Sequence, residues 1–311
     1  MLDVRRMRVL REVAARGSFS AAADALAYTQ SAVSQQIAAL EREAGTRLVE
    51  RNARGVRLTD AGRVLVEHAD AILARLADAE AELEAIAGLR GGRLRLAAFP
   101  SAGATIMPEA IARFRERHPG VELTLEPAEP EPSLARLRAG EFDLVLDITA
   151  SYRPSGGDHV ERVHLLDDPM YVALPKGHPL ARKRNLKLAE LADESWILGT
   201  TGSCPDVSIF LRSCQLAGFE PQVTFNSDDY FAIQGFVAAG MGASLIPDLA
   251  LITVRDDIVV RSLGPRPPVR VIWAATLRDS YRSPAKQAML DVLAEVSAEF
   301  AENRRALALA S

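Results

Sequence analysis

With only two cysteines and five histidines among 311 residues, the chain has little material for several kinds of chemistry. Cys204 and Cys214 cannot supply a disulfide scaffold or a cysteine-rich zinc site, and so low a thiol content fits a reducing cytoplasm. The histidines are scattered, and His118 and His178 each precede a proline in a turn, so no set of metal ligands gathers. No nucleophile elbow and no phosphate-binding loop occurs, so neither catalysis nor a cofactor is implied. The first ten residues carry Asp3 where a secretion signal would be positive, and no apolar segment follows their arginines. The longest uncharged run, residues 230–247, is broken by Gln234, Gly235, Gly240, Gly242, Ser244 and Pro247, which predicts a helix and a buried strand and no membrane span.

A general excess of base is missing too. The formal charge is -4, which argues against a basic coat for nucleic acid over the whole surface. The average hides an asymmetry: residues 1–60 carry ten arginines and seven acids, net +3, which leaves -7 for the remainder. A chain of this length exceeds one core and divides into two or three domains.

The basic end is periodic. Met7, Leu10, Val13 and Ala14 recur at helical spacing and Gly17 supplies a stop. Ser20 is placed to cap a second helix, in which Ala21, Ala22, Ala23 and Ala25 let a neighbour approach closely. After a tight connection at Ala27 and Tyr28, Thr29 caps a third helix to about Ala44, with Ala32, Val33, Ile37 and Leu40 inward. This is a helix-turn-helix. The exposed N-terminal face of its second helix presents Gln30, Ser31, Ser34 and Gln35, whose lengths suit base edges in a major groove. Two short strands with a turn over residues 52–55 follow, with Arg51, Arg54 and Arg57 projecting as a wing.

From Leu58 the apolar interval lengthens. Leu58, Gly62, Leu65, Ala69, Ile72, Leu76, Ala79, Leu83 and Ile86 step by four and three, the seam of a coiled coil. Thr59 caps this helix and Gly88, Gly91 and Gly92 stop it, so roughly thirty residues run about 45 Å. A rod of that length cannot bury its own seam, and a second copy of the chain is the expected partner, with Leu65, Ile72, Leu76 and Leu83 as its dimerisation residues.

Beyond Gly92 strands and helices alternate, which implies a mainly parallel sheet covered by helices. Ligands in such folds sit beyond the carboxyl ends of strands. Those ends are residues 99–103, with Ser101, Ala102 and Gly103; residues 126–131, with Glu129; and residues 149–152, with Thr149. The pattern restarts after Val160, and residues 201–204, with Thr201, Ser203 and Cys204, end a strand in the same way in a second lobe. Crossings between the lobes are expected near residues 160–164 and 264–268, and a last helix from Ser283 to about Arg304 returns to the first lobe. Glu129, Glu131, Asp147, Asp228 and Asp229 at or near strand ends disfavour a polyanion and suit an amine-bearing or neutral molecule, while Arg153 points the other way. Ser283-Pro284-Ala285-Lys286 has the serine–lysine spacing of penicillin-binding enzymes, yet Ser283 and Pro284 stand where a helix cap and its first residue belong.

The segment GSFSAAADALAYTQSAVSQQIAALEREAGTRLVERNARGVRLTDAG is similar to the winged helix-turn-helix of LysR-type transcriptional regulators. The likeness continues through the long helix, which in that family pairs two DNA-binding domains, and through a sensor half of the expected length. The resemblance implies an α/β fold with an N-terminal winged helix-turn-helix, a long linker (dimerisation) helix and a two-lobed, type 2 periplasmic-binding-protein-like sensor. The expected divisions are 1–58 for DNA binding, 59–89 for the linker, 90–161 and 266–311 for lobe 1, and 162–265 for lobe 2. It also implies the partners: an operator in double-stranded DNA, a small-molecule effector and another copy of the chain, as homodimer or homotetramer, with no membrane. Carried onto this sequence, Thr29, Gln30, Ser31, Ser34 and Gln35 enter the major groove, Arg51 and Arg54 belong to the wing, and the effector meets Ser101, Ala102, Gly103, Glu129, Thr149, Thr201, Ser203, Cys204 and Asp228. A small-solute receptor without a DNA role is the alternative. Peroxide-sensing members of the family form a regulatory disulfide in the region of Cys204 and Cys214. Here the pair is one residue further apart than in those sensors, and an intact helix between them implies a separation of roughly 12 Å or more, against about 7 Å for a bridge.

Overall fold

Asp3 starts the first helix. In the computed structural model, which describes residues 1–52, 55–86, 92–150, 159–184, 186–200, 205–278 and 283–310, its carboxylate accepts the N–H groups of Arg5 and Arg6 and caps α1 (Val4–Arg16), which ends at Gly17 with φ 62°. Helix α2 (Phe19–Leu26) is capped by Ser18, not Ser20: Phe19 is drawn into the core as the first helical residue, so the extended residue before it takes the cap and Ser20 faces solvent. Ala27 closes α2 in the left-handed region at φ 54°, a conformation more usual for glycine. Thr29 accepts the Ala32 N–H at 3.2 Å and opens α3 (Gln30–Ala44), which buries Val33, Ile37 and Leu40. Strands β1 (Val49–Asn52) and β2 (Gly55–Leu58) pair antiparallel, Asn52 opposite Gly55, and form the wing. Thr59 then accepts the Gly62 N–H at 3.0 Å and caps α4 (Asp60–Ile86). A Cβ on Gly62 would lie 2.1 Å from the Leu48 carbonyl oxygen, so only glycine lets α4 leave the wing this closely.

The chain divides into two units, Met1–Gly88 with Arg138–Glu141, and Leu89–Leu137 with Phe142–Ser311. The second unit runs β3 (Arg93–Ala98), α5 (Pro100–Gly103), α6 (Ile106–Arg117), β4 (Glu122–Pro127), α7 (Pro130–Arg138), β5 (Leu144–Thr149), β6 (Val160–Pro175), β7 (Ser195–Leu198), α8 (Pro205–Leu216), β8 (Gln222–Asn226), α9 (Tyr230–Ala238), β9 (Ser244–Pro247), β10 (Ile258–Arg261), β11 (Val269–Leu277) and α10 (Pro284–Ala310). Strand β3 pairs parallel with β4 and β5, as the alternation of strands and helices predicts, and β11 closes on β5 antiparallel.

Strand β6 decides the architecture. Residues 160–169 pair with β11, and from Met170 onward the strand takes β9 and β10 instead. Leu165 and Leu166 pack in one core with β3, β5, α6 and α10, whereas Met170, Val172 and Leu174 pack in another with Trp196 and Phe210. The sequence pattern places a crossing at 160–164, but the strand runs straight through and the change of partners falls at Pro169–Met170. Asp167, Asp168 and Pro169 interrupt the apolar alternation and hide that continuity. No helix among the described residues is long and apolar enough to cross a membrane.

Candidate functional site

Two regions gather the residues singled out in the sequence. The first is the start of α3. Thr29, Gln30, Ser31 and Gln35 are exposed and Ser34 is half-buried, on the side opposite the buried Val33, Ile37 and Leu40. The Thr29 and Ser31 hydroxyls lie 3.0 Å apart at the helix N-terminus, where unpaired backbone N–H groups favour a phosphate. Arg57 on β2 is exposed. Arg54 and the side chain of Arg51 fall outside the described residues.

The seam of α4 divides in two. Leu65 and Ala69 are buried in the core of their own winged unit, and Leu58 packs against it, so Leu65 is not available to a second copy. Its apolar interval is shared by the intramolecular contact and the outward stripe, which is why spacing alone assigns it wrongly. Outward face Ile72, Leu76 and Leu83, exposed by 40, 48 and 66%; Val64, at 54%, is also exposed but lies about 100° around the helix from that line.

The second region is a cavity of about 40 Å³, room for a few waters, at the meeting of the two cores in the second unit. Ser101, Glu129 and Asp228 line it. Ala102 does not: it is fully buried in the first core, because successive residues of α5 point in different directions and Pro100 and Ser101 are the ones that line the cavity. Gly103 borders a different depression, beside Leu125 and Pro127. Thr149 accepts the Trp273 indole N–H at 2.8 Å and is not among the lining residues. Thr201, Ser203, Cys204 and Arg153 lie outside the described residues.

At the floor sits a residue that the sequence reading passed over. Arg270, 1% exposed, donates through Nε to Asp168 at 3.0 Å, through Nη1 to Asp206 at 2.9 Å, and through Nη2 to Asp168 and to the Ser101 hydroxyl at 3.0 Å. Asp168 also accepts the Leu249 N–H at 3.0 Å, and Asp206 accepts the Tyr230 hydroxyl at 2.5 Å. Burial works against the Arg270 charge, but Asp206 and Asp168 outweigh it and raise its pKa further. Burial likewise pushes the Asp168 carboxyl up. Both Asp168 oxygens nevertheless receive N–H donors, and a protonated carboxyl would turn its O–H against one of them, so the ionised pair is the form that satisfies every contact. The signal was present: Arg270 is a charge inside the apolar run Val269–Leu277, and Asp168 breaks the run of β6.

Ser283 is a helix cap, its hydroxyl accepting the Lys286 N–H at 3.2 Å. No group of three or more metal-ligating side chains occurs among the described residues. Residues 4–63 match the profile of the bacterial regulatory helix-turn-helix proteins of the lysR family, and residues 87–298 match the LysR substrate binding domain.

The chain belongs to the LysR family.

It is therefore a DNA-binding transcriptional regulator with an effector-binding half. It is 32% identical over 300 residues to the probable HTH-type transcriptional regulator LrrA of Synechococcus elongatus, covering 96% of this chain and 98% of that protein. It is 37% identical to a probable hydrogen peroxide-inducible genes activator of Mycobacterium avium, over 79% of this chain and 78% of that one. In fold it is similar to a full-length OxyR variant from Pseudomonas aeruginosa, with a TM-score of 0.70 at 24% identity, covering 94% of this chain and 95% of the other.

Cys214 of this LysR regulator is fully buried with Trp196 and Phe210, and burial pushes its thiol up to about 12. At pH 8 the folded protein should hold it as the unreactive thiol. Iodoacetamide followed by peptide mass spectrometry should show Cys214 unlabelled until denaturant is added. Stoichiometric labelling of Cys214 in the native protein would show that α8 opens readily.

Proposed function

We propose that this regulator reads its operator with Gln30, Ser31, Ser34 and Gln35 in the major groove, with Thr29 at the helix start and Arg51 and Arg54 of the wing on the backbone. The observation that carries this is the capped N-terminus of α3, whose polar side chains are exposed while its other face fills the core. Two copies join along Ile72, Leu76 and Leu83. A small effector enters the cavity lined by Ser101, Glu129 and Asp228 and also contacts Thr201, Ser203 and Cys204. The lobes that enclose it divide at Pro169–Met170 and again over residues 264–268. A ligand that touches both lobes favours one arrangement of them, and that differential binding is what changes DNA affinity. The protein works in the cytoplasm, where its operator is. Burial of Cys214 speaks against its serving as a thiol-based switch.

Gel shifts on the DNA that flanks its own gene, at several salt concentrations, test the DNA half. Gln35→Ala should lose about 1–3 kcal/mol on the cognate site and relax preference at one base pair. Arg54→Ala should weaken all sequences alike and reduce the salt slope by about one. If both variants bind the site as the parent does, the recognition helix is misassigned.

A further inference from the structure

The charges of the Arg270 network do not balance. Arg270 spends four of its five N–H groups on Asp168, Asp206 and Ser101. Its single positive charge therefore stands against two carboxylates. Asp168 is saturated, one oxygen on Arg270 and the other on the Leu249 N–H. Asp206 is not: Oδ2 takes both Arg270 and the Tyr230 hydroxyl, while Oδ1 is buried with no hydrogen-bond partner. The residue is 8% exposed and lines the cavity, together with the carboxylates of Glu129 and Asp228. An unpaired buried carboxylate oxygen costs more than an ordinary missing hydrogen bond, and native proteins keep one where something else supplies the donor.

We propose that the effector is a compact organic cation, an ammonium or amidinium, seated against the Asp206 carboxylate, whose charge offsets the excess negative charge of the network. The inference rests on the reading of this cavity as the effector site and names the class of molecule it takes. A carboxylate is disfavoured because Arg270, the only cation lining the cavity among the described residues, is already committed to Asp168 and Asp206. A bare metal ion is disfavoured by the walls, where Phe99, Met170, Phe210 and Leu245 stand in place of a ring of oxygens. Those same walls suit a short alkyl body.

Asp206 opens α8, packed in the second core, whereas Ser101 belongs to α5 in the first. Arg270 joins them. A cation on Asp206 draws on the carboxylate that holds Arg270 and so acts on the link between the cores, which is where an effector must act to shift their arrangement.

The test uses full-length protein and three probes of equal heavy-atom count: n-butylammonium, propionamide and propionate. Thermal shift and titration calorimetry should show saturable binding of the ammonium in the millimolar range, weaker binding of the amide and none of propionate. Asp206→Asn keeps an acceptor for Arg270 and Tyr230 but removes the charge, and should weaken the ammonium at least about tenfold. Tyr230→Phe leaves the charge and releases an acceptor site on Oδ2, so it should bind the ammonium as tightly as the parent or more tightly. The opposite directions separate recognition from damage to the fold. Ser227→Trp, which fills the cavity wall, should abolish the response. Propionate binding that Ser227→Trp removes would keep the cavity as effector site and overturn the cationic class. Ammonium binding that survives both Asp206→Asn and Ser227→Trp lies elsewhere and overturns the inference and the cavity reading together. Absence of any ammonium response in the parent overturns the inference alone.

Discussion

Asp168→Ala should lower the unfolding free energy of the effector-binding half by about 3–5 kcal/mol, because it leaves the Arg270 guanidinium buried with one carboxylate fewer. Arg270 and Asp168 are 1% and 0% exposed, so water cannot take over the lost contacts. The Leu249 N–H loses its acceptor in the same step, an added desolvation cost of about 1–3 kcal/mol that overlaps with the first figure. Against a typical domain stability of about 5–15 kcal/mol, this is enough to unfold a marginal protein. Urea titration followed through Trp196, buried in the second core, measures it. The companion experiment decides what the network is for. Asp168→Leu with Arg270→Met removes one pair of charges but leaves Asp206 buried with only the Tyr230 hydroxyl, so it should recover part of the loss, and adding Asp206→Asn, which removes the last charge, should recover more. The double variant should fold yet fail to respond to effector, because Ser101 and Asp206 lose the arginine that joins them. A double variant that responds normally would make the network a stability device alone.

The parts of this protein that sequence made legible are those where one local rule is enough. Thr29 followed by Ala32, Val33 and Ile37 specifies a capped amphipathic helix, and Thr59 and Ser283 cap theirs by the same rule. The cap of α2 went to Ser18 because the position of buried Phe19, a tertiary fact, chose between two nearby serines. Sites assembled from distant residues were less visible. Arg270, Asp168, Asp206 and Ser101 come from β11, β6, α8 and α5, and no spacing connects them. What sequence does offer is the anomaly: a charge in the middle of an apolar strand has to be paired, and Arg270 in β11 and Asp168 in β6 are two such anomalies in adjacent strands, opposite each other in register. The acidic residues at strand ends, Glu129, Glu131, Asp147, Asp228 and Asp229, include neither Asp168 nor Asp206, and only the geometry distinguishes saturated Asp168 from Asp206 with an oxygen to spare. The apolar seam of α4 failed differently, since spacing says that a stripe must be covered and not by what.

That seam sets up the other large effect. Leu76→Glu should convert the regulator to monomer at micromolar concentration, because a charge at the middle of the outward stripe faces its own copy across a two-fold contact and costs several kcal/mol when buried unpaired. Leu76 is 48% exposed within one chain, so the winged unit's own core loses nothing and its far-ultraviolet circular dichroism should be unchanged. Operator affinity should fall much further than one lost contact explains. Two linked recognition helices bind the second half-site at a high effective concentration, a gain of about 10²–10⁴ that disappears with the linkage. Leu65→Ala is the control on the other half of the same seam. Leu65 sits at 9% exposure among Met7, Leu10 and Val49, so truncating it should cost about 2–5 kcal/mol of unfolding free energy while leaving the folded fraction dimeric. Light scattering and denaturant unfolding on the two variants therefore give opposite patterns, association lost with stability kept for one and stability lost with association kept for the other. A Leu76→Glu protein that still scatters as a dimer would place the contact between copies somewhere other than α4, and the stripe from Ile72 to Leu83 would then need a different partner.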